Sequence, residues 1–119
     1  MMFDVRSFVK EYNLYDTAAL EIILEDVERN YELFCLAIEH TDTADLRRTL
    51  HSLKGTFWLQ FCPSLMDSVY LLHQEVHNER PKNSIINGQV LMIVTQLPGV
   101  IQDLKNYIDD YNSDTNHAG

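Results

Sequence analysis

Cysteine, proline, glycine and basic side chains are all scarce in this chain of 119 residues. The two cysteines, Cys35 and Cys62, offer neither a disulfide framework nor a metal-ligand spacing. Both are expected to be reduced, mostly buried thiols of a cytosolic protein. Only four glycines and three prolines interrupt the chain, which disfavours a fold of short strands and tight turns. Nine Lys and Arg stand against 18 Asp and Glu, a formal net charge of −9. That balance excludes nucleic acid as the main partner, because a phosphate backbone requires clustered cations. The N-terminal residues Met1-Met2-Phe3-Asp4-Val5-Arg6 lack the apolar region of a signal peptide. No apolar run approaches the roughly 20 residues of a membrane span. There is no internal repeat and no alternating strand pattern. These absences predict a soluble, cytoplasmic, single-domain protein without membrane association, monomeric by default.

What the chain does have is helical periodicity, with hydrophobic residues at 45 %, enough to build a core. A short first helix spans about Phe3 to Tyr12, with Phe3, Phe8 and Val9 as packing residues. Asp16 or Thr17 caps a long helix to about Glu39 or His40. Leu20, Ile23, Leu24, Val27, Tyr31, Phe34 and Ile38 form its apolar stripe, and Glu21, Glu25, Asp26, Glu28 and Glu32 a solvated acidic face. Asp42 or Thr43 caps the next helix, which should run to about Phe61, where Pro63 forbids continuation. A further helix begins at Pro63 or Ser64 and reaches about Asn78, burying Leu65, Val69, Leu72 and Val76. After the loop Arg80-Pro81-Lys82-Asn83, a last helix runs from Ser84 to about Tyr111. Its stripe keeps phase across Pro98, which is expected to mark a bend or break between collinear segments. The prediction is all-α: an antiparallel up-down-up-down four-helix bundle with a short extra N-terminal helix over residues 1–111, and a flexible tail at 112–119.

One segment stands out, Leu50-His51-Ser52-Leu53-Lys54-Gly55-Thr56-Phe57. At about 100° per residue, Leu46, Leu50, Leu53 and Phe57 share one stripe and His51 lies roughly opposite its centre. The helical neighbours of His51 are Arg47, Arg48, Lys54 and Gly55. Three cations and the smallest residue around an exposed imidazole suit a group that meets a phosphate from outside. Gly55 in mid-helix costs about 1 kcal/mol relative to Ala, so something should compensate for it.

His51-Ser52-Leu53-Lys54-Gly55-Thr56 resembles the H-x-L-K-G-[SAT] signature of histidine-containing phosphotransfer domains. Chain length and helix order fit the same family, so the resemblance covers nearly the whole chain. It implies that His51 accepts a phosphoryl group from a phospho-aspartate on the receiver domain of a hybrid sensor kinase. His51 would then pass the group to the receiver aspartate of a response regulator. It implies no ATP site and no cofactor or metal of the chain's own, the magnesium belonging to the receiver. Lys54 would support the phosphoryl group and Gly55 would clear space for the receiver. Two positions depart from the family pattern. Phe61 stands where many members have Gly, and His73 where many have a Gln that orients the reactive imidazole. His73 or its neighbour Gln74 is therefore the candidate orienting residue for His51.

The receiver should dock on the His51 face of two neighbouring helices. Arg47 and Arg48 would add positive potential, and Trp58, Met66, Tyr70 and His77 would be candidate contacts. His73 and His77 share the i, i+4 spacing of a helical metal pair, but a third ligand is not evident, and no metal site is assigned. The alternative is a helical bundle that binds a receiver or another signalling protein without carrying phosphate.

Overall fold

The computed structural model describes residues 2–118, with side chains described through Ser113. The described residues form helices joined by turns and short irregular segments, with no strand among them. The helices are α1 (Val5–Tyr12), α2 (Thr17–Glu39), α3 (Thr43–Lys54), α4 (Pro63–Val76) and α5 (Asn83–Ala118), with a 3-10 turn at Leu59–Phe61 before α4.

Local chemistry explains most of the boundaries. The Asp4 carboxylate accepts from the Ser7 amide and hydroxyl and starts α1. Asn13, in the left-handed region at φ 53°, ends it. Asp16 caps α2 by accepting from the Ala18 amide at 2.9 Å. Asp42 caps α3 by accepting from the amides of Ala44 and Asp45. Pro63 occupies the first turn of α4, where its missing N–H costs nothing.

Two boundaries differ from the sequence expectation. The α3 helix ends at Lys54 instead of continuing to Phe61. The Leu53 carbonyl, which a continuing helix would offer to the Phe57 amide, is taken instead by Thr56. The Thr56 hydroxyl donates to it at 2.7 Å and the Thr56 amide at 3.1 Å. The chain then turns inward through Phe57 and Trp58. The α5 helix passes Tyr111 and runs through Pro98 without a break, the proline ring lying on the exposed side. The residues expected as a tail, 112–119, are therefore helical through Ala118.

Packing joins α2 to α3, α3 to α4, α4 to α5 and α5 back to α2 in a closed circuit, with α1 against α5 and the 3-10 turn. The shared core holds Leu20, Val27 and Phe34 of α2, Leu50 and Leu53 of α3, Leu65, Val69 and Leu72 of α4, and Ile93, Leu97, Val100 and Leu104 of α5. Those of α2, α3 and α4 lie on the predicted apolar stripes. Gln96 of α5 is buried as well, and its amide donates to the Ser68 hydroxyl at 3.2 Å. By length and composition alone, Asn83–Ser113 of α5 is apolar enough to cross a membrane, with a window of mean hydropathy 1.4, contrary to the expectation that no segment would be. Of that window 22 % is buried, and α5 packs against both α2 and α4.

An aromatic cluster closes the end where α1 meets the 3-10 turn. Phe8 lies 5.5 Å from Phe57 and 5.4 Å from Phe61, and Tyr12 lies 5.1 Å from Phe57. Phe61 thus fills this end with its ring, and its carbonyl accepts from the Asp4 amide at 2.8 Å. Phe57, expected on the buried stripe of α3, stays 44 % exposed, because the helix has already ended and no longer carries it inward.

Candidate functional site

His51 sits on the exposed side of the last turns of α3, while Leu50 and Leu53 point into the core. Helical phase alone produces this split, because the neighbouring apolar residues claim the inward face. Gly55 follows as the C-cap, with an ordinary φ of −83°. A Cβ built there would meet only the backbone oxygens of Ser52 at 3.5 Å and His51 at 3.6 Å, which is normal contact. Nothing within the protein therefore requires glycine at this position. The surface beside His51 is left bare.

The three cations placed around His51 by the sequence divide into different roles. Arg47 donates through Nε and a terminal nitrogen to the Val76 carbonyl, at 3.2 and 2.9 Å, and so closes the C-terminal end of α4. Arg48 pairs with Asp45 of its own helix at 2.7 Å in an exposed ion pair. Lys54 has neither arrangement. Its ammonium lies 3.4 Å from Nδ1 of His73 and 4.9 Å from the centre of the Tyr70 ring. Of the three, Lys54 is the one whose charge meets no carboxylate or carbonyl.

The Lys54 contact bears on the state of His73: an ammonium only donates, so the contact is a hydrogen bond when His73 is neutral with Nδ1 as the acceptor. The pKa of His73 is correspondingly lowered, first by burial and then by Lys54, His77 and His51. His77, exposed, donates from its own Nδ1 to the His73 carbonyl at 2.7 Å, and the two rings lie 4.3 Å apart. That hydrogen bond uses one His77 nitrogen. Among the described residues there is no group of three or more metal-ligating side chains.

His73 and Gln74 were the candidates to orient His51. The structure turns Gln74 to the exposed side of α4 and joins His73 to Lys54. Neither makes a hydrogen bond to His51 among the described residues. His73 nonetheless lies close enough for the two imidazoles to act on each other's charge.

Tyr70, exposed, and Met66, half-buried, line a hollow with Lys54, Phe57 and Gln60, as a contact surface would require. Trp58 does not belong with them. Offered as a candidate contact, it is 0 % exposed, and its indole Nε1 donates to Asp26 Oδ2 of α2 at 2.9 Å. The early end of α3 is the reason: the turn at Thr56 rotates Trp58 out of helical phase and into the core.

A second depression, between α2 and α3, has His51 in its wall. It is lined by Ile22, Asp26, Gly55, Thr56 and Phe57 as well. Ile22 is 66 % exposed and, with Phe57, gives this depression an apolar rim. Sequence reasoning placed no α2 residue at the site. The available signal was Ile22 itself, an apolar side chain set apart from the phase of Leu20, Leu24 and Val27.

No family model, curated protein or solved structure matches this chain.

Proposed function

We propose that the chain is a histidine phosphotransfer protein, an intermediate carrier in a phosphorelay. In this reading the closed circuit of α2 to α5 is an antiparallel up-down-up-down bundle with α1 across one end. The supporting observation is the combination at the end of α3: an exposed His51, the Lys54 ammonium one turn away without an anionic partner, and Gly55 bare for reasons external to the fold.

A neutral imidazole presents a nucleophilic nitrogen near pH 7. His51 attacks the phosphorus of a receiver's phospho-aspartate through Nε2. The N–P bond forms as the acyl phosphate P–O bond breaks, and the aspartate leaves as carboxylate. Transfer to a second receiver is the same step reversed. Phosphoryl transfer depends mostly on in-line positioning and charge stabilisation. Lys54 supplies a donor and a positive charge to the phosphoryl oxygens, and the receiver supplies its metal and acidic pocket. The receiver domain of a hybrid sensor kinase and that of a response regulator dock in turn over the depression beside His51. The rim residues Ile22 and Phe57 add apolar contact area.

The test is transfer of radiolabelled phosphate from phosphorylated receiver domains to the wild-type chain and to His51→Gln. Acid-labile label on the wild type alone supports the carrier reading, and Lys54→Ala then slows transfer more than it weakens docking. Label on neither, from a panel of competent receivers and with both proteins folded, overturns that reading in favour of a bundle that binds without carrying phosphate.

A further inference from the structure

Lys54 is the cation the proposed transfer depends on, and its position is set by a neighbour that itself titrates. The ammonium reaches across from α3 to α4 and rests 3.4 Å from Nδ1 of His73. The other holding contact is weaker in direction, the face of the Tyr70 ring at 4.9 Å. The hydrogen bond exists only while Nδ1 carries a lone pair.

We propose that His73 is a positioning residue for Lys54 that acts as a proton switch: neutral, it holds the ammonium through Nδ1; protonated by solvent, it releases the ammonium toward His51. The inference that release aids transfer rests on the carrier reading above, whereas the switch itself does not. On protonation, Nδ1 becomes a donor, the hydrogen bond is lost, and two positive charges face each other at hydrogen-bond range. The ammonium then keeps the contact with the Tyr70 ring.

The groups that face His73 all favour its neutral state. From α3 these are Lys54 and His51, with Arg47 engaged one turn further along at the Val76 carbonyl. From its own helix they are His77, with its ring 4.3 Å away, and Tyr70 beyond Lys54. No charged group of α5 or of the 3-10 turn acts on it. No carboxylate among the described residues acts on it, so the switch operates below the ordinary histidine value of about 6.5. A phosphoryl dianion on His51 changes this balance. It attracts the Lys54 ammonium, frees Nδ1 of His73 and favours the imidazolium. Phosphorylation of His51 should therefore raise the pKa of His73 and draw a proton onto it.

The experiment is an NMR titration of the unphosphorylated full chain between pH 5 and 8, following the His73 ring and the Lys54 side-chain resonances. The expected result is a His73 midpoint below 6.5 that rises in Lys54→Met, and Lys54 resonances that shift with the His73 midpoint. In His73→Gln, whose amide oxygen still accepts from the ammonium but does not titrate, the Lys54 resonances should lose that transition. Lys54 resonances that stay flat through the His73 transition, or a midpoint indifferent to Lys54→Met, overturn the switch. A second arm treats the chain with phosphoramidate and maps the phosphorylated residue by mass spectrometry. Label at His51 with a raised His73 midpoint supports the coupling, and label at His51 with an unmoved midpoint overturns it. A chain that titrates as expected but takes no label at His51 counts against the carrier reading and leaves the switch standing.

Discussion

Replacing Trp58 by Phe removes one hydrogen bond and part of one buried ring while keeping an aromatic in place. The indole is fully buried, and Nε1 donates to Asp26 Oδ2 at 2.9 Å, tying the turn after α3 to α2. A hydrogen bond to a charged acceptor contributes about 1.5–3 kcal/mol. Asp26 is only partly buried, so water recovers some of its solvation in the variant and the low end of that range applies. The ring atoms that Phe does not replace leave a small void, costing roughly 1 kcal/mol more. The expected destabilisation is about 2–3 kcal/mol, a fall in Tm of about 10 °C for a domain of this size. The assay is urea unfolding followed by far-UV circular dichroism, because the substitution removes the chain's single Trp as a fluorophore. The midpoint should fall with m unchanged. A double-mutant cycle with Asp26→Ala should return a coupling of about 1–1.5 kcal/mol. A loss below 0.5 kcal/mol, or strict additivity in the cycle, would refute the placement of Trp58 as a buried, hydrogen-bonded anchor.

Leu50→Ala or Leu53→Ala should each cost about 2–5 kcal/mol as core truncations, measured the same way, and a change under 0.5 kcal/mol would mean that the phase of α3 is wrong. The lowered pKa of His73 means that the unfolded chain binds more protons just below pH 6.5. Its contribution to stability is therefore complete above about 6.5 and lost as pH falls through the folded-state value; unfolding midpoints of His73→Gln should show less of this acid-side loss than wild type. Burial, helped by Asp103, pushes the Cys62 thiol up to about 12. Iodoacetamide at pH 8 should thus leave Cys62 unmodified in the folded protein and alkylate it in urea, while Cys35, which is only half-buried, reacts first. Equal alkylation rates at the two cysteines in the folded state would contradict the burial of Cys62.

The exposed histidine with its apolar flanks was legible because it depends on phase within one short helix. Leu50 and Leu53 face inward, so His51 must face outward, whatever the rest of the fold does. The same reasoning failed three residues beyond Lys54. Thr56 competes for the Leu53 carbonyl through both its amide and its hydroxyl, and a periodicity argument has no means of weighing that competition against one more helical turn. Phe57, placed on the buried stripe, is therefore exposed, and Trp58, offered as a contact residue, is buried. The hydrogen bond of Arg47 was not legible for another reason: its carbonyl partner, Val76, is 29 residues away, and its position becomes known only when α4 is packed against α3.

By itself the sequence determined the helices, their Asp caps, the apolar stripes and the outward face of His51, because each follows from bonds and phases within about one helical turn. Tertiary structure alone decided which partners the charges near His51 meet. Lys54 and His73 lie 19 residues apart on different helices, Trp58 and Asp26 lie 32 apart, and Ile22 reaches the wall beside His51 from α2. Contacts of that kind depend on how rigid helices lie against one another, which is settled by burial of the shared core and carries no local signature in the chain.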